Sequence, residues 1–281
     1  MKDGSLDITS GKDIAYENFP VGSWLLPADL RPHIATFYHF ARAADDIADS
    51  PDLLPEDKII GLNQFEDALS GKLPATSAPP KALRMGQSLR ETKVPPHHCI
   101  DLLAAFKQDA TKLRYDTWQE LLDYCRLSAA PVGRYLIDLH SGSQNGYGPS
   151  DALCAALQIL NHLQDCQDDF QTLDRVYLPL DMMARRNATT EDLSAATITA
   201  ELRACLDDIL DGVDALMLEA AALPSGLKSW RLAMESQAII NIALKLSKKL
   251  RLNDPIAAPV KLSKPTYMSC CVLGALKSLL R

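Results

Sequence analysis

Apolar positions in this chain recur at helical spacing over long stretches, most clearly in 199–223 and 226–250. Intervals of three and four put them on one helix face. The same pattern predicts helices over Arg31 to about Asp49, Pro55–Leu69, 81–91, 96–113 and 116–140. Ser50-Pro51 stops the first, and Ala130-Pro131 should kink the last. Residues 141–149 read as a loop rich in Gly, Ser and Asn. Ser150 or Asp151 then caps a helix that fades near Thr172. Another segment starts at 190–193, and a terminal helix is expected over 265–281, with 1–16 as a flexible start. With no repeat, low-complexity stretch or linker, the expectation is a single all-α domain over residues 1–281.

Composition agrees with that pattern. Hydrophobic residues make up 47% of 281 and aromatics only 6%, with Ala and Leu dominant in the long segments. This favours helices over sheet. A net charge of -7 argues against a nucleic-acid partner. Seven cysteines, odd in number and without a CxxC pair, argue against a disulfide framework or zinc site and point to a reducing, cytoplasmic setting. Residues 1–16 have no apolar signal-peptide core, and no run reaches the roughly 20 apolar residues of a membrane span. The uncharged stretch 265–276 reads as a core helix, with peripheral contact to the inner membrane as the alternative.

Two acid clusters break the helical pattern. On the first helix, Tyr38, Arg42, Asp45 and Asp49 share a face. After 150, Gln158, Asn161, Asp165 and Asp169 form a second stripe. Like charges four residues apart cost a helix a few tenths of a kcal/mol. A solvated acidic face would account for one such cluster. Two of them, the second made up of oxygen ligands or hydrogen-bond formers throughout, point to shared Mg2+ ions bridging carboxylates to phosphate, with Arg42 contacting the anion. Two acidic helices facing each other across a cavity would hold two or three such ions. Asp46 and Asp168 are extra acids, placed either behind the ligands or in solvent. His39 and His162 read as packing or surface histidines. The small residues Ser128, Ala129, Ala130 and Gly133 leave room for a neighbouring helix or, less simply, a long apolar ligand. Arg175 either binds phosphate or sits on the surface.

Together these segments resemble the squalene/phytoene synthase family from about Glu17 to Pro179. The resemblance is carried by Leu25-Leu26-Pro27, Tyr38-x-x-x-Arg42-x-x-Asp45-Asp46-x-x-Asp49, Tyr124-Cys125 with Val132-Gly133, Gln158-x-x-Asn161-x-x-x-Asp165-x-x-x-Asp169, and Arg175-x-Tyr177-Leu178-Pro179. It implies an isoprenoid-synthase helical bundle around a central cavity. By position, Asp45, Asp49, Asn161, Asp165 and Asp169 would ligate two or three Mg2+. Tyr38, Arg42 and Gln158 would contact the prenyl diphosphate, and Asn18, Phe19, Tyr124, Gln164, Arg175 and Tyr177 would complete the substrate site. Catalysis would rest on Tyr38, Arg42, Asp45, Asp49 and Asp165.

Two departures are informative. Asn18-Phe19 stands where the family commonly has Ser-Phe, and Gln164 where many members have Arg. With Ser128 to Arg134, these resemble the hydroxysqualene synthase branch of bacterial hopanoid pathways. That branch ionises presqualene diphosphate and lets water capture the cation, with no nicotinamide cofactor. Two rivals stand beside this reading. One is a family member that condenses prenyl diphosphates to presqualene diphosphate, squalene or phytoene; the other is a silent assembly protein, which the intact acids disfavour. The apolar product suggests hand-off to pathway enzymes.

Overall fold

The computed structural model describes residues 26–279. Every regular element among them is helical, apart from one isolated bridge between Arg114 and Val176. The internal contacts divide the chain into two compact units, Met1–Thr111 and Lys112–Arg281.

The first unit holds α1 (Arg31–Ala48), α2 (Pro55–Leu69), α3 (Pro80–Thr92) and α4 (His97–Asp109). Prolines open α1, α2 and α3, where the first turn leaves backbone N–H groups unbonded in any case. α1 packs on the other three through Ile34, Phe37, Phe40 and Ile47, all buried. The Phe40 and Phe65 rings lie 5.7 Å apart and join α1 to α2. Arg31 Nε donates to the Leu26 carbonyl at 3.0 Å and fixes the approach to α1.

The second unit holds α5 (Trp118–Ser128), α6 (Ala130–Leu139), α7 (Tyr147–Leu173), α8 (Leu180–Arg185), α9 (Ala200–Ala220), α10 (Leu223–Gly226), α11 (Trp230–Leu252) and α12 (Lys264–Leu279). α7 is its axis, packed against α5, α6, α9 and α11. The break at Ala129 divides the predicted 116–140 helix into α5 and α6, since Pro131 has no N–H to carry the first helix through. The expected loop is shorter than its composition suggested: α7 begins at Tyr147 and absorbs Gly148 and Pro149 into its first turn. α6 and α7 approach closely at Gly133. A Cβ there would collide with Ser150 Oγ and lie 2.8 Å from Cys154 Sγ. Arg134 Nε donates to Asp151 Oδ1 at 2.9 Å beside that contact. Gly133 and Arg134 therefore serve helix packing. α12 packs on α11, and a Cβ at Gly274 would come within 2.6 Å of the Ala238 nitrogen.

Candidate active site

α1 carries its acids at the wrong end for a simple helix. The C-terminus is the negative pole of the macrodipole, where cations are favoured. Yet Asp45 and Asp46 occupy the last turn, Asp49 is the C-cap, and no basic residue is present there. Lys58 of α2 compensates locally: its Nζ donates to the Ala48 carbonyl at 2.8 Å. Asp49 itself caps through its backbone N–H to the Asp45 carbonyl at 2.9 Å. The stripe Tyr38, Arg42, Asp45 and Asp49 is half-buried, while the opposite face forms the core.

Within that stripe Arg42 is held by two carboxylates. Nη1 lies 2.9 Å from Asp45 Oδ2, and Nη2 lies 3.1 Å from Asp46 Oδ1. Asp46 is buried, so this extra acid anchors Arg42 from behind. The Tyr38 ring stands edge-on to His39, 5.6 Å away, and His39 points to solvent. The Asp45 carboxyl is pushed up to about 8, first by burial and then by Asp49, with Arg42 opposing and Asp109 and Asp46 adding to the rise. Asp109, the last residue of α4, is buried close enough to act on Asp45. It belongs to the acid cluster, and only its place at the end of an apolar helix could have hinted at that.

α7 repeats the arrangement in the second unit. Asp165, Asp168 and Asp169 gather toward its C-terminus, and its last turn again has no basic residue. Gln158, Asn161 and Asp169 are half-buried, while Asp165 and Asp168 are exposed. Beyond the helix end, Arg114 reaches back to the Asp174 carbonyl and, at 2.6 Å, to Asp174 Oδ1. Packed rings flank this stripe. His162 stacks on Tyr177 at 3.6 Å between centroids and 14° between planes. Tyr124 lies 5.4 Å from Tyr177, and Tyr115 lies 5.2 Å from Tyr124. Gln158 Nε2 donates to His162 Nε2 at 3.2 Å, which leaves Nδ1 facing Asp169 Oδ2 at 4.0 Å. His162 thus sits between two residues of the stripe and hydrogen-bonds one of them, Gln158.

The other expected substrate contacts fall in different surroundings. Tyr124 and Tyr177 are buried in the ring cluster. Arg175 is buried, not on the surface, and its backbone N–H closes on the Asp169 carbonyl at 3.1 Å. Gln164 Nε2 donates to the Val260 carbonyl at 2.5 Å, tying α7 to the segment before α12. Asn18 and Phe19 lie outside the described residues.

This donor chemistry suits a divalent cation. Carboxylates crowded at a helix's negative end, with one carboxyl pushed up to about 8, call for positive charge. Among the described residues, no three His, Cys, Asp or Glu side chains already form a closed cage. Mg2+ does not require one, because it keeps several waters and shares one or two carboxylates with phosphate oxygens.

Comparison with known proteins decides the kinship. The squalene/phytoene synthase family model matches residues 15–266. The chain belongs to the squalene/phytoene synthase family. Two hydroxysqualene synthases are similar over nearly their whole length. That of Sinorhizobium fredii is 41% identical over 247 residues, covering 88% of this chain and 84% of the relative. That of Rhodopseudomonas palustris is 40% identical over 272 residues, covering 97% and 92%. A crystal structure of a squalene synthase from Alicyclobacillus acidocaldarius superposes with a TM-score of 0.73 at 30% identity, covering 84% of this chain and 89% of that one. As a squalene/phytoene synthase family member, the chain is a prenyl diphosphate-processing enzyme of isoprenoid biosynthesis with the all-α isoprenoid-synthase fold.

Proposed function

We propose that this enzyme ionises presqualene diphosphate and directs water onto the rearranged cation, giving hydroxysqualene and diphosphate. The observation that carries the reading is the 40–41% identity to two hydroxysqualene synthases across most of both chains. The acids at the C-terminal ends of α1 and α7 support the ionisation step, because such ends tolerate carboxylates best when a cation joins them.

Asp45 and Asp49 on α1, and Asn161, Asp165 and Asp169 on α7, would hold two or three Mg2+ in common with one substrate diphosphate. Bound Mg2+ neutralises the charge that develops on the leaving oxygens. Arg42, oriented by Asp46, adds a fixed guanidinium for the same charge. Tyr38 and Gln158 contact the substrate beside it. The C–O bond breaks with its electron pair leaving on diphosphate. The cyclopropylcarbinyl cation rearranges, water adds through oxygen, and the released diphosphate takes the proton. Faces of aromatic rings stabilise such cations. The ring cluster that includes Tyr124 and Tyr177 supplies candidates in this chain. Water is the terminal nucleophile, so the step needs no hydride donor.

Gln164 bears on the choice between this reaction and condensation of two farnesyl diphosphates. Condensation must handle two diphosphates, ionisation of presqualene diphosphate only one. An amide at position 164 places no charge there, and its N–H is directed to Val260. The experiment supplies presqualene diphosphate and farnesyl diphosphate separately, with Mg2+ and without NADPH. The reading expects an alcohol from the first and little turnover of the second, both abolished by chelation. Efficient condensation of farnesyl diphosphate by the wild type would overturn it and assign the chain to the condensing enzymes.

A further inference from the structure

The charge of this chain is unevenly placed. Residues 228–281 hold ten of the 29 basic residues and two of the 36 acids, although the whole chain is net -7. α11 and α12 lie in that basic segment. α12 buries Cys270 and Gly274 against α11 and turns the other side outward. On that outer side Met268, Val272 and Leu276 follow one another at four-residue intervals, 63%, 53% and 53% exposed, with Leu273 beside them at 57%. Exposed Lys264 begins the same line one turn earlier. Exposed Lys245 of α11 lies near enough to act on the Cys270 thiol, which places it beside α12, and exposed Lys248 is one turn further along.

Scattered apolar side chains on a surface need no explanation, but a contiguous apolar line rimmed by lysines does. The basic rim selects among possible occupants. A two-fold contact with a second copy would bring two basic segments together, at an electrostatic cost. An anionic bilayer matches both features at once, because apolar side chains enter the acyl boundary while lysines stay among the phosphates. We propose that the outer face of α12 docks this enzyme on an anionic lipid surface. The helix lies in the plane of the interface. It does not span, since no described helix is long and apolar enough to cross a membrane. The acidic remainder of the chain is repelled by the same surface, so the basic segment also sets the orientation of approach. This inference stands on the surface alone and does not depend on which prenyl diphosphate is consumed.

The test is flotation of the full-length protein with phosphatidylcholine vesicles, against vesicles in which part of that lipid is replaced by phosphatidylglycerol. Each lysine at an anionic surface strengthens binding about fivefold, so the anionic vesicles should carry at least about fivefold more protein, and added salt should reduce the difference. Val272→Ser with Leu276→Ser should lose flotation while circular dichroism and turnover in solution match the wild type. Lys245→Gln with Lys248→Gln should weaken binding to anionic vesicles only. The proposal fails if the wild type floats with neither vesicle, or if the serine pair floats as well as the wild type. It also fails if light scattering shows a dimer that the serine pair dissolves, which would give the face to a second copy.

Discussion

The acids of α1 and those of α7 share a residue type, a spacing and a place at the negative end of a helix, but they are held by different means. On α1 the support is charge: Asp46 and Asp45 grip Arg42, and Asp109 presses on Asp45. On α7 it is packing: His162 and Tyr177 stack beside the stripe. On α1 burial and the neighbouring carboxylates raise Asp45. The α7 cluster presents more exposed acids beside packed rings. Two acid clusters built this way should respond to different perturbations.

Removing the acids tests what the two clusters have in common. Asp45→Ala and Asp165→Ala should each lower kcat by about 10²–10³, as expected when a group stabilising transition-state charge is lost. Both variants should keep the wild-type circular dichroism spectrum. Full turnover by either would separate its cluster from the reaction.

The next two changes separate charge from packing. Gly133→Ala forces the α6–α7 contact apart, and overpacking of this kind costs about 1–3 kcal/mol, read as a lower Tm. Asp46→Asn leaves the fold of α1 in place but loosens Arg42, and kcat should fall about tenfold through lost orientation. Asp168→Asn is the control on α7: its side chain is exposed, and stability should change by no more than about 0.5 kcal/mol. An equal fall in kcat for Asp168→Asn and Asp46→Asn would erase the contrast between the two clusters.

The smallest effect is in pH. Asp45 is raised from 3.8 to about 8, so without metal the folded state holds a proton that the unfolded state has released between those values. The stability from this group is full below about pH 4 and is lost as pH rises through about 8. Mg2+ requires the carboxylate, so binding at about pH 7 should release close to one proton from Asp45, and binding above about pH 9 none. Calorimetry in two buffers of different ionisation enthalpy reads the difference.

Much of this was legible before any coordinates. The face shared by Tyr38, Arg42, Asp45 and Asp49 follows from helical periodicity, and Pro55–Leu69 has the boundaries its proline and apolar spacing imply. The start of α7 was not legible, because Gly148 and Pro149 favour loops in isolation and are tolerated only in a first turn. α8 escaped notice because six residues show too little periodicity. The part played by Asp109 and the stacking of His162 on Tyr177 arise from tertiary packing, which no local spacing encodes. Gly133 and Arg134 illustrate the reverse case. A segment that marks a branch by resemblance proves to be a helix contact.

The central claim is that a C–O bond ionises and water then captures the carbon. It is tested most directly by turning over presqualene diphosphate in ¹⁸O-labelled water without NADPH and analysing the alcohol by mass spectrometry. The account predicts hydroxysqualene that carries the solvent isotope. Unlabelled presqualene alcohol would contradict it, because cleavage at phosphorus leaves the original oxygen on carbon.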